Sequence, residues 1–164
     1  LNYIAAIAGE SDFLTFGPGE FVLSVDEEER ILTRFRNADN QLYLVALIDG
    51  EIVGHLSFAA GARPRVRHTG AFSMSVRKRF WGMGIGSHLI DTLIDWAHSS
   101  CIIRKIDLYV RTDNERAIVL YQSKGFVIEG TITRAMLHNG TYYDHHAMGL
   151  EVDNDTPRPP TNPG

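Results

Sequence analysis

Gly82, Gly84 and Gly86 have the spacing of an anion-binding loop. They follow an apolar alternating run ending at Val76 and a basic segment, Arg77, Lys78 and Arg79, and they open a helical pattern. Glycine lets the backbone approach a ligand closely and adopt conformations that other residues resist. The first N–H groups of a helix, at the positive end of its dipole, attract phosphate oxygens. The stretch Gly82, Met83, Gly84, Ile85, Gly86, Ser87 is therefore expected to hold a phosphate-bearing cofactor through its amides, with the three basic residues adding positive charge.

Two familiar phosphate loops fail this spacing. A P-loop ends in Gly-Lys-Ser or Gly-Lys-Thr, whereas here Gly86 is followed by Ser87 and the loop holds no lysine. A dinucleotide fingerprint, G-x-G-x-x-G, counted from Gly82 or Gly84 would end on Ser87 or Leu89. A second stretch lies downstream: Asn114-x-x-Ala117-x-x-x-Tyr121-x-x-x-Gly125-Phe126. On spacing alone, Tyr121 reads as a core aromatic sharing a helix face with Ala117 and Leu120.

Together the two stretches resemble the GNAT superfamily of N-acetyltransferases, from about Asn2 to Leu150. Its coenzyme A loop reads Gln/Arg-x-x-Gly-x-Gly/Ala. Aligning Gly84 and Gly86 with the small residues puts Trp81 where the family has Arg or Gln; the other frame, Arg79-Phe-Trp-Gly82-Met-Gly84, matches literally and leaves Gly86 over. The resemblance implies acetyl-CoA as cosubstrate and a cleft where two parallel strands splay apart. The acetyl carbonyl would rest beside Met74, Ser75 and Val76, polarised by a backbone N–H. Asn114 would contact the pantetheine or its surroundings. Tyr121 would stand beside the coenzyme's sulfur as the proton donor to the leaving thiolate, since a phenol holds its proton at neutral pH.

These residues need elements to position them. Residues 2–8 read as a short helix, and Ser24-Val-Asp-Glu27 has capping-box spacing for a second helix over roughly 25–38. Gln41 to Ile48 and Glu51 to Ala60 form a hairpin around Asp49-Gly50, and a third strand runs from about Val66 to Val76. The helix from Met83 to Ser99 gathers Leu89, Ile90, Leu93, Ile94 and Ala97 on one side. A strand over 104–111 alternates Ile106, Leu108 and Val110 against Asp107, Tyr109 and Arg111. Thr112-Asp-Asn-Glu115 starts another helix that Gly125 stops, and Phe126 to Leu137 pairs with Thr141 to Val152 around Asn139-Gly140. The fold class is α/β: a mixed, mostly antiparallel sheet flanked by helices, lacking the strand that usually precedes the family's first helix. Residues 1–152 form one acetyltransferase domain, and 153–164, with four prolines and no large apolar residue, a disordered tail.

The remaining chemistry is sparse. Tyr109 occupies a position where some relatives carry a carboxylate; Glu10, Asp12, Glu20 and Asp144 are further candidates for a base, each weighed against a solvated surface acid. His145 and His146 point to opposite faces of a strand, and with Asp144 they make too few ligands for a metal. Cys101 is the single cysteine and has no evident base beside it, which fits an inert thiol in a reducing, cytoplasmic setting. With 44% hydrophobic and 22% charged residues and a net charge of -4, the chain suits one globular domain and gives no basic face for nucleic acid. No apolar run reaches the roughly 18 residues of a membrane span. A start at Leu rather than Met predicts that the natural chain extends upstream.

The leading expectation is an N-acetyltransferase acting by direct attack in a ternary complex. Its acceptor would be a small-molecule amine (polyamine, aminoglycoside or amino acid) or a protein N-terminus or lysine, and base rates favour a homodimer. A non-catalytic acyl-CoA-binding module is the competing reading. A nucleotide-binding domain is disfavoured by the failed fingerprints.

Overall fold

In the computed structural model, residues 2–153 are described; the remainder of the expected tail, 154–164, lies outside the described residues. Helix α1 spans Asn2–Ala8 and α2 spans Val25–Asn37. The capping box of α2 forms as its spacing predicts: the Glu27 amide donates to Ser24 Oγ at 3.3 Å and the Ser24 amide to the Glu27 carboxylate at 2.8 Å. Two amides that the helix cannot satisfy by itself are thus satisfied.

Strands β1 (Gln41–Ile48), β2 (Glu51–Ala60) and β3 (Thr69–Val76) form an antiparallel meander. A 3-10 turn, Lys78–Phe80, leads to α3 (Ile85–Ser100), then β4 (Lys105–Arg111), α4 (Glu115–Ser123), β5 (Val127–His138) and β6 (Thr141–Glu151). The six strands make one sheet in the order β1-β2-β3-β4-β6-β5, and β3 with β4 is its parallel pair. The third strand starts at Thr69 rather than near Val66, because Val66 belongs to a turn whose amide donates to the Arg63 carbonyl. The fourth helix is capped by Asn114, whose Oδ1 accepts from the Ala117 amide, not by Thr112. Among the described residues, no helix is long and apolar enough to cross a membrane.

The two faces of the sheet differ in chemistry. One carries Leu56, Phe58, Phe72, Ile106 and Leu108, which pack with Leu89, Ile90 and Leu93 of α3 into the core. At Gly54 a side chain would lie 3.1 Å from Ile85 and 3.3 Å from Leu89, so a glycine there lets α3 sit close over β2. The register of β1, β2 and β3 turns Tyr43, His55, Ser57, Ser73 and Ser75 to the other face. There α1 and α2 attach through rings: Tyr3 meets His55 at 6.4 Å, His55 meets Tyr43 at 4.8 Å and Tyr43 meets Phe35 at 5.4 Å. The Tyr3 hydroxyl, 2.9 Å from both the Ser75 carbonyl and Oγ, completes the attachment.

Burial pushes the His55 imidazole down to about 4 from 6.5. The unfolded chain therefore binds a proton near pH 6.5 that the folded chain refuses until about pH 4, so stability falls as pH drops through that window. Unfolding free energies measured from pH 7 to 4 should show the wild type losing up to about 3 kcal/mol relative to His55→Gln. Parallel curves would mean that His55 protonates freely in the fold.

Candidate active site

The glycine loop is held open by its own chain. The Trp81 amide closes onto the Lys78 carbonyl, and the indole N–H donates to the Val76 carbonyl at 2.7 Å. Gly82 and Gly84 then take the left-handed region, with φ of 83° and 80°, which only glycine enters without strain. The amides from Gly82 to Ser87 have no protein acceptor among the described residues; the first to find one is His88, which donates to the Gly84 carbonyl at 3.0 Å. A side chain built at Gly82 would meet nothing within 4 Å, so the space above the loop is free.

Both arginines of the basic segment beside the loop are neutralised. Arg77 Nε and the Lys78 amide each hold Glu10 at 2.7 Å, and Arg79 pairs with Glu51. Burial alone would raise the Glu10 carboxyl, but the Lys78 amide and the Arg77 guanidinium outweigh it and hold it below the usual carboxylate value. Attraction at the loop thus comes chiefly from amides and the α3 dipole, and the arginines add less positive charge than the sequence suggests. The Arg116 guanidinium lies 4.7 Å over the Trp81 ring, on the rim of the cleft.

Strands β3 and β4 pair only through Thr69 with Lys105, Gly70 with Ile106 and Ala71 with Asp107. Beyond that point β3 stays paired with β2, and β4 with β6, but not with each other. Because the Arg77 amide donates to the Val53 carbonyl on β2, the alternation of the antiparallel ladder turns the amides of Met74 and Val76 into the gap. Ser75 faces the other way along the ladder, and its carbonyl receives Tyr3.

A cleft of about 1380 Å³ runs through this gap and joins the candidate residues. Met74, Ser75, Val76, Gly82, Gly84, Ile85, Gly86, Ser87, Asn114 and Tyr121 all line it; Met83 does not, its side chain being 60% exposed on the outer side of the loop. Asn114 uses its carbonyl to cap α4, leaving its NH₂ group available to the cleft. Tyr121 is 9% exposed, packed edge to face against Phe72 at 5.8 Å and Phe126 at 6.1 Å. Burial pushes its phenol up to about 12. Its hydroxyl has no protein hydrogen bond among the described residues, so it is a proton-bearing group facing open space.

The candidate bases separate. Tyr109 and Glu10 line the cleft, whereas Asp12, Glu20 and Asp144 do not. Glu20 accepts the Gly17 amide and Asp144 the Arg134 amide. His145 lines the cleft with its Nε2 buried and unpartnered, while His146 bonds Thr131 on the other face. Cys101 caps the far end of α3.

His55 and Arg111 are cleft residues to which the sequence reading gave no role. His55 pairs with Ser75 across the ladder. Arg111 holds both oxygens of Asp113, at 2.9 and 2.6 Å, and donates to the Asp12 carbonyl at 2.9 Å. It also lies 3.6 Å over the Tyr143 ring and 4.7 Å over Phe13. It therefore ties the loop after α1 to the end of β4; the alternation of 107, 109 and 111 placed it on the right face without revealing these partners.

Comparison with known proteins accounts for this arrangement. Residues 11–126 match the acetyltransferase (GNAT) family. The chain is 39% identical to an L-amino acid N-acetyltransferase of Escherichia coli over 64% of its own length and 65% of that relative's. It is 29% identical to a spermidine N(1)-acetyltransferase of Vibrio cholerae over 75% and 64% of the two lengths. Both matches span just under two thirds of the curated relative. A solved GNAT-family acetyltransferase from Streptococcus pneumoniae superimposes with a TM-score of 0.89 at 35% identity, covering 93% of this chain and 90% of that one. The open amide loop, the splayed strands and the phenol between them belong to a chain that is a member of the acetyltransferase (GNAT) family.

Proposed function

We propose that the protein is an acetyl-CoA-dependent N-acetyltransferase that passes an acetyl group to a primary amine by direct attack in a ternary complex, in the cytoplasm. The observation that carries the reading is one cleft bordered both by the unclaimed amides of Gly82 to Ser87 and by the unpaired phenol of Tyr121. Membership of the family supports it independently.

When bound, acetyl-CoA supplies a thioester whose carbon–sulfur bond breaks as the amine nitrogen forms a carbon–nitrogen bond, the nitrogen losing a proton and the sulfur gaining one. In this proposal the Gly82 to Ser87 amides hold the pyrophosphate, with Gly84 keeping the loop in its left-handed turn. The amides of Met74 and Val76 pair with the pantetheine arm and polarise the acetyl carbonyl, and the Asn114 NH₂ group steadies the arm from the start of α4. Tyr121 holds the proton that the sulfur receives. A phenol at about 12 stays protonated throughout the neutral range. The apolar surroundings that raise it equally penalise a bare thiolate, so the phenol gives its proton to the sulfur as the carbon–sulfur bond breaks, and the proton lost by the amine nitrogen restores the phenol.

Two substitutions separate binding from chemistry. Tyr121→Phe should lower turnover by about 10²-fold while leaving coenzyme A affinity within a factor of two or so, measured by thiol release and calorimetry. Unchanged turnover would remove the phenol from the mechanism. Gly84→Val, which forces a β-branched residue to a φ of 80°, should weaken coenzyme A binding by about 10-fold or more. Coenzyme A binding with no thiol release from any of a panel of amines would replace the enzyme by a binding module.

A further inference from the structure

We infer that the acceptor is a monoamine whose one other group is bulky, apolar and uncharged, such as an aralkylamine, and that polyamines are poor acceptors. This names the substrate class of the site just described and rests on that reading.

The argument comes from the half of the cleft on the sheet face opposite α3. Its walls are Ile7 of α1, Phe13, Phe16 and Phe21 of the loop between α1 and α2, and Leu32 and Phe35 of α2. Phe13, Phe21 and Leu32 are 39%, 44% and 39% exposed and line one cavity. Phe16 and Phe21 stack at 5.0 Å, so the loop presents a formed aromatic surface. Apolar surface left facing a cavity gains most from a guest that removes it from water.

The charges nearest the floor of this chamber are already paired. Glu10 is held by Arg77 and the Lys78 amide, and Asp113 by Arg111. Arg111 in turn is saturated by Asp113, the Asp12 carbonyl and two rings. Glu28 of α2 also lines the cleft and makes an interaction of its own; burial first, and then the Glu28 charge, raise the Tyr43 phenol. Glu115 stands at the start of α4, on the coenzyme side. At the floor, burial keeps the His55 imidazole neutral at pH 7. A guest with a second ammonium group would bury that charge opposite rings and an uncharged imidazole, which strongly disfavours it. A phenyl-sized group meets surface of its own kind.

The test uses the full chain saturated with coenzyme A, with calorimetric binding of 2-phenylethylamine, tryptamine and spermidine at one pH and salt concentration, and thiol release from acetyl-CoA in parallel. Either aromatic amine is expected to bind at least about 10-fold more tightly than spermidine, the low end for burying one aromatic side chain. Leu32→Asp and Phe21→Ser, two exposed positions outside the transfer machinery, should each reduce that ratio by about 5-fold or more; having two guards against one variant that fails to fold. Spermidine binding as tightly as the aromatic amines, or a ratio untouched in both folded variants, overturns the inference. Selective aromatic binding without thiol release would uphold the chamber's chemistry and strike down acetyl transfer instead.

Discussion

The early end of pairing between β3 and β4 governs the rest of the structure. Only the pairs from Thr69/Lys105 to Ala71/Asp107 join the two halves of the sheet. A parallel pair that continued to Val76 and Arg111 would bury the amides of Met74 and Val76 in a ladder and close the sheet. By stopping, it leaves backbone donors facing a gap that neither half can fill from its own side chains. The strands on either side of the gap keep their other neighbours, β3 on β2 and β4 on β6, so the gap is built into the sheet.

Around that gap the protein has removed net charge. Arg77 and Glu10 bind each other, Arg79 pairs with Glu51, and Arg111 with Asp113. Tyr121 and His55 are both kept neutral by burial. What the paired charges leave bordering the gap includes oriented backbone amides, the Asn114 NH₂ group, the Arg116 guanidinium and the Tyr121 phenol. Fixed dipoles in a partly dry cleft act without the reorganisation that mobile charged side chains would need.

How much of this was legible in the sequence differs by element. Because the apolar faces of α3 and β4 and the box at Ser24 are local signals, alternation and capping rules located every α-helix and strand within a few residues, but not the 3-10 turn at Lys78–Phe80. The glycine loop was readable for the same reason: its conformation depends on residues adjacent in the chain. Arg77 was misjudged as a free cation because Glu10, its partner, lies 67 positions away and belongs to a loop with no periodicity. His55 and Arg111 went unseen for a related reason: their roles depend on Tyr3, Asp12 and Phe13, which only tertiary packing brings near. Sequence patterns report which face a side chain occupies, while its partners there are a property of the fold.

In the frame that aligns Gly84 and Gly86 with the small residues of the family pattern, Trp81 takes the place of arginine or glutamine, and its contacts show how the loop is built. An arginine or glutamine there could reach a ligand directly, whereas the indole is occupied by the Val76 carbonyl at 2.7 Å and covered by Arg116 at 4.7 Å. The indole thus links the end of β3 to the start of the loop and fixes the path between them from inside. Gly82 and Gly84 can then hold their left-handed turn, and the amides of Gly82 to Ser87 can point outward, before any ligand arrives. Under the proposed function, one side-chain contact is exchanged for a backbone already ordered for binding, which lowers the ordering entropy that binding must overcome. An amide loop with little help from neighbouring cations depends on that preorganisation.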